Sequence, residues 1–221
     1  QDQVRSIFEI LKNVISIPKI ELEYDDPYTL LVAVILSART TDKQVNKVSE
    51  KLFKQIKTPE EMLNFGLENL LKEISSIGLY KNKGKNIIAM SKLLIEKFDS
   101  KIPATREELM SLPGVGRKSA DVILNVVYKK PTVAVDTHVA QFARITGLTK
   151  FSDRDKIAND LEKLLPTCLD YNTLIIAHHL MVLYNRHVCR GTGKNQHNCP
   201  IPGYCERKRA KIGRASCRER V

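Results

Sequence analysis

Apolar residues recur along the chain at three- and four-residue spacing, the period of a helix with one buried face. Val45, Val48, Leu52 and Phe53 follow it, as do Ile157, Leu161, Leu164 and Leu165. Thr58-Pro59-Glu60-Glu61 reads as a helix start, with threonine as cap, proline first and glutamate three residues after the cap. Thr105-Arg106-Glu107-Glu108 repeats that box without the proline. Leu30 to Leu36 is apolar throughout and predicts a helix buried on all sides, with a buried strand as the competing reading. The other strand-like stretch, Thr132-Val133-Ala134-Val135, is too short to build a sheet. The pattern predicts an all-α fold with short loops.

Composition narrows the classes. The chain has 221 residues, 43% of them apolar, enough to bury a core as one large domain or two smaller ones. Leu30 to Leu36 is the longest apolar run, far short of a membrane span, and no membrane role is expected. The first residues lack the layout of a secretory signal, so a cytoplasmic, nucleoid-associated bacterial protein is expected. The formal charge of +11 suggests a polyanionic partner, but six of those charges fall between Arg207 and Val221. That stretch loses apolar periodicity and reads as a basic disordered tail. Residues 212–221 resemble nothing else in the chain and also read as an artefact. The five cysteines crowd towards the C-terminus, an odd count that points to a metal or iron–sulfur site rather than a disulfide framework.

The most informative segment runs from Leu112 to Asn125. A short capped helix reaches Pro113, and Gly114 and Gly116 flank Val115 before a second helix opens at Arg117 and Lys118. Glycine permits the positive φ angles and close backbone approach of a tight interhelical turn. Free amides at a helix start make a seat for phosphate. The segment therefore reads as a helix–hairpin–helix gripping the DNA backbone through Gly114, Val115, Gly116 and Arg117; an ordinary helical hairpin is the plainer alternative. Lys118 falls in the first turn of the second helix, where a lysine is usually a solvated charge. Positive potential with partial burial would instead make its amine a nucleophile. Asp136, at the start of the next helix, reads as an N-cap or as an acid/base partner for such a lysine. His138 reads as a packing or hydrogen-bonding residue.

Leu-Pro-Gly-Val-Gly-Arg-Lys-Ser-Ala (112–120) followed by Val-Asp-Thr-His-Val (135–139) resembles the endonuclease III family of helix–hairpin–helix DNA glycosylases. The likeness extends over residues 4–206 and includes Leu-Ser-Ala-Arg-Thr-Thr-Asp (36–42), Ile-Gly-Leu-Tyr (77–80) and His-His-Leu (178–180). It implies two helical lobes: a six-helix barrel over 20–130 carrying the hairpin at about 107–128, and a second lobe joining 1–19 to 131–206. A damaged base would be flipped out of the duplex and into the cleft between them. Lys118 would be the nucleophile and Asp136 its essential partner. The expected substrate is double-stranded DNA carrying an oxidised pyrimidine or an abasic site, bound by a monomer. Leu79 would be the wedge that fills the gap, although core packing is an equal reading. Arg39 stands where the family often has Gln, which leaves its gap-filling role open.

The resemblance also implies a [4Fe–4S] cluster on Cys-x6-Cys-x2-Cys-x5-Cys. Cys189, Cys199 and Cys205 take the first, third and fourth places, but Gln196 takes the second. A cubane normally takes four thiolates. Three outcomes stay open: a cluster completed by His197 or an exogenous ligand, zinc on three cysteines and His197, or an empty site. A non-catalytic helix–hairpin–helix DNA-binding module and a plain helical metalloprotein are the rival functions.

Overall fold

The computed structural model describes residues 1–189 and 199–205, and among them there is no strand. The chain divides into two compact units: Ile20–Lys130, and Gln1–Lys19 together with the chain from Pro131 on.

The Ile20–Lys130 unit holds α2 (Pro27–Ser37), α3 (Asp42–Leu52), α4 (Pro59–Glu73), α5 (Tyr80–Phe98), α6 (Arg106–Ser111) and α7 (Arg117–Val126). The all-apolar run belongs to α2, whose residues from Tyr28 to Leu36 are all buried, and α3, α5 and α7 pack around it. The run is helix and not the competing strand, and its burial on every side explains why no polar position interrupts it. Most helix starts are written in the local sequence. Asp26, Thr41, Thr58 and Thr105 each accept a backbone N–H with the side chain, a device of about 1 kcal/mol per helix. Thr58 and Glu61 form the full capping box expected of Thr-Pro-Glu-Glu.

The other unit begins with α1 (Asp2–Val14) and continues with α8 (Thr137–Ile145), α9 (Arg154–Leu164) and α10 (Tyr171–Leu183). Its core joins Ile7, Phe8 and Leu11 of α1 to Phe142, Leu161 and Leu180. Phe142 meets the buried Tyr184 edge-on at 5.6 Å. Cys168 is a buried thiol in that core. Thr132–Val135 forms no regular element: Val133, Ala134 and Val135 are buried in the connection leading into α8. No described helix is long and apolar enough to cross a membrane.

Candidate active site and nucleic-acid interface

The hairpin is built by two glycines with different reasons for being there. After α6 the chain extends through Leu112, and Gly114 turns it with φ 83°. A Cβ on Gly114 would lie 2.9 Å from Asn86 Cβ, so both conformation and space call for glycine. Gly116 is different. Its φ is −98°, open to any residue, and a Cβ there would meet nothing within 4 Å. Nothing inside the protein requires glycine at 116, and the exposed turn stays bare at the point where α7 starts.

Seven of the other helix starts carry a side-chain acceptor, but α7, with Gly116 as its N-cap, has none. The start of α7 therefore carries the positive end of the helix dipole with no side-chain cap on it. Val115 is only 6% exposed, and its amide donates to the Leu112 carbonyl at 3.1 Å. It stabilises the turn from inside. The Arg117 side chain approaches the buried Asp121 at 3.7 Å, beside Arg106, whose Nε donates to the same carboxylate at 2.7 Å. The two half-buried arginines converge on the buried Asp121, and the Arg106 bond ties the two hairpin helices together.

Lys118 lies in the first turn of α7 and is exposed, so the partial burial expected of it is not found. Asp136 caps α8 in the other unit. Its Oδ1 accepts from the amides of His138 (2.8 Å) and Val139 (2.9 Å), so one oxygen serves as the cap. Neither of those bonds uses Oδ2. His138 has the hydrogen-bonding role expected of it: its Nδ1 lies 3.2 Å from Asn185 Nδ2, which also donates to Gln141 Oε1 at 3.0 Å.

Arg39 and Leu79 both adopt left-handed backbone conformations, with φ 55° and 60°. Leu79 is 56% exposed, so it is not a core residue; Arg39 is exposed as well. The sequence reading missed Lys83, which is buried one turn into α5. The signal was available, because Lys83 falls in register with the apolar positions Ile87, Met90 and Leu94.

Cys189 ends a π-helical turn, Tyr184–Cys189, that continues α10. The Tyr184 hydroxyl lies 3.3 Å from Cys199 Sγ. Burial pushes the Tyr184 phenol up, and so do the Cys199 bond and the charges of Cys199, Cys189 and Cys205. Among the described residues no group of three or more His, Cys, Asp or Glu side chains is arranged to hold a metal ion. Gln196, His197, Cys217 and the tail 207–221 lie outside the described residues.

The model of the HhH-GPD superfamily of base excision DNA repair proteins matches residues 32–167. The chain belongs to this superfamily. It is 44% identical over 203 residues to endonuclease III of Rickettsia prowazekii (strain Madrid E), covering 92% of this chain and 94% of that protein. To endonuclease III of Bacillus subtilis (strain 168) it is 39% identical over 195 residues, covering 87% and 88%. A solved structure of a trapped endonuclease III–DNA covalent intermediate, an estranged-adenine complex, superposes with a TM-score of 0.87 at 34% identity over 96% of this chain and 98% of that one. This HhH-GPD chain is thus an enzyme of DNA base excision repair, a DNA glycosylase and abasic-site lyase. Membership disposes of the plain helical metalloprotein and the non-catalytic module as readings of the whole chain.

Proposed function

We propose that this enzyme removes oxidised pyrimidines from duplex DNA and then cuts the abasic strand by β-elimination through a Schiff base on Lys118. The observation that carries the reading is an exposed amine in the first turn of an uncapped helix. It belongs to a chain resembling a protein trapped as a covalent intermediate with DNA. The leading amides of α7, bare at Gly116, seat a backbone phosphate with Gly114 and Val115 shaping the turn. Arg117 contributes its amide there, its side chain being engaged with Asp121. Leu79 and Arg39 enter the duplex and fill the space left by the extruded nucleotide.

In the chemical step the lone pair of Lys118 Nζ forms a bond to C1′ of the sugar. The C1′–N bond breaks, and the base leaves with that electron pair and takes up a proton. Nζ then sheds a proton, the C1′–O4′ bond breaks with its electron pair and that proton passing to O4′, and the opened sugar is held as a protonated imine on Lys118. Loss of a C2′ proton expels the 3′ phosphate, and water releases the enzyme. Asp136 supplies negative charge where positive charge grows on the sugar. With Oδ1 spent on the helix cap, Oδ2 is the oxygen assigned to this task.

By spacing alone Cys189, Cys199 and Cys205 match three ligand places of a [4Fe–4S] loop, and the remaining place falls at Gln196, a poor iron ligand. Such a cluster would cross-link the 189–205 segment, and no step above depends on it. Zinc on the three cysteines and His197 is the alternative.

Single-turnover incubation with a duplex carrying one thymine glycol tests the reading. Release of the base followed by strand cutting is expected. Cutting only at preformed abasic sites, with thymine glycol left in place, would remove oxidised pyrimidines from the substrate class.

A further inference from the structure

Lys83 takes part in neither the hairpin nor the chemistry above, yet it is 5% exposed. Its Nζ donates to the carbonyl oxygens of Leu36 (2.8 Å) and Ala38 (2.5 Å) and to Thr40 Oγ1 (3.1 Å). An ammonium has three donors, and these acceptors use all of them without a carboxylate. The position is costly. Lys83 springs from the first turn of α5, the end of a helix that disfavours a cation, and burial pushes its pKa down. Leu36 and Ala38 offset part of that cost, since they belong to the last turn and the cap of α2, where the helix carries partial negative charge. An apolar side chain of the same length would fill the space without a desolvated charge. What it could not do is hold residues 36–40.

Those residues surround Arg39, and Lys83 itself lies four positions after Leu79. The two segments touch independently of the lysine. Gln44 Nε2 donates to Ser76 Oγ at 2.7 Å, and a Cβ on Gly78 would lie 3.3 Å from the Arg39 carbonyl oxygen. Arg39 and Leu79 are thus two exposed side chains on left-handed backbone, projecting from adjoining loops with one buried ammonium at the joint. A left-handed conformation is unfavourable for a residue with a Cβ and persists only where its surroundings hold it.

We propose that Lys83 is a positioning residue for nucleotide extrusion, locking the Arg39 and Leu79 loops into one rigid element that enters the duplex. The proposal rests on the reading of Arg39 and Leu79 as gap-filling side chains. Lys83 touches no DNA itself; its effect passes through the backbone of residues 36–40.

The test uses the full chain and a duplex with 2-aminopurine beside a thymine glycol, whose fluorescence rises as the stack opens. Lys83→Met should slow that rise about tenfold, the consequence of losing one to two kcal/mol of preorganisation. Base release should slow in parallel, while affinity for undamaged duplex stays at the wild-type value. In an Arg39→Ala background, Lys83→Met should add less than about twofold, because the side chain it positions is gone. If Lys83→Met does not fold, Thr40→Val removes one of the three bonds and should slow the rise in the same direction, with Thr40→Ser restoring it. A wild-type rise in every folded Lys83 and Thr40 variant would overturn the proposal, as would full additivity with Arg39→Ala. A wild-type rise in both Arg39→Ala and Leu79→Ala would overturn the gap-filling reading and this proposal with it.

Discussion

Substituting alanine at each hairpin glycine in turn separates the fold from DNA binding. At Gly114 the new residue must hold φ 83°, a penalty of about 1–2 kcal/mol for a residue with a Cβ. Its Cβ also lands 2.9 Å from Asn86 Cβ, and relieving such an overlap costs about 1–3 kcal/mol. Gly114→Ala should therefore lose at least about 2 kcal/mol and lower the unfolding midpoint by roughly 5 °C or more. At Gly116 neither term applies. Alanine is a poorer N-cap than glycine by a few tenths to about 1 kcal/mol. It recovers about 0.4–1 kcal/mol by restricting the unfolded chain. Gly116→Ala should leave stability within about 0.5 kcal/mol of wild type. Its methyl group would nevertheless enter the open space beside the turn, where the proposed phosphate would sit. Loss of hydrogen bonds to a charged oxygen predicts an affinity drop of roughly tenfold to a hundredfold. Denaturant unfolding and fluorescence-anisotropy titration with an abasic duplex at fixed salt measure the two quantities. Wild-type affinity in Gly116→Ala would refute the phosphate seat; equal destabilisation by both substitutions would refute the assignment of the two glycines.

Other substitutions probe the remaining groups. Asp136→Asn keeps the Oδ1 cap but removes the charge, so stability should hold while base removal falls about 10²-fold, about 2.7 kcal/mol. Cutting at a preformed abasic site should suffer less, and undiminished base removal would reduce Asp136 to a cap. Burial lowers the Lys83 pKa, so between that value and the unfolded value of about 10.4 the unfolded chain binds the extra proton. The stability difference between wild type and Lys83→Met should therefore shift in favour of wild type as pH rises through that window. A flat difference would contradict the buried ammonium. Purified without oxygen, the protein should be yellow-brown with about four irons, as a cubane requires, and Gln196→Cys should raise its oxygen resistance. Colourless protein holding one zinc would replace the cluster with a zinc site.

Much of the fold was legible because local signals and burial agreed. The Thr58 box gives the start of α4, and the apolar run from Leu30 identifies the buried α2. The hairpin was legible from Leu-Pro-Gly-Val-Gly. What spacing could not separate were the two glycine roles, since the Asn86 contact comes from a distant segment. Arg117 shows the same limit: the sequence offers a cation at the turn, while the packing directs its side chain to a buried carboxylate. Leu79 could have been core or wedge by composition, and only its exposure favours the second. Lys83 was overlooked because a lysine on an apolar stripe reads as an interruption, whereas its acceptors lie more than forty residues earlier in the chain.

Borohydride reduction tests the nucleophile most directly, since it fixes an imine as a stable amine and joins enzyme to DNA. Wild-type protein incubated with an abasic duplex and borohydride should give a covalent adduct, with the attachment mapping to Lys118. Lys118→Gln should give none while still binding the duplex. An undiminished adduct in Lys118→Gln would place the nucleophile on another residue and contradict the mechanism.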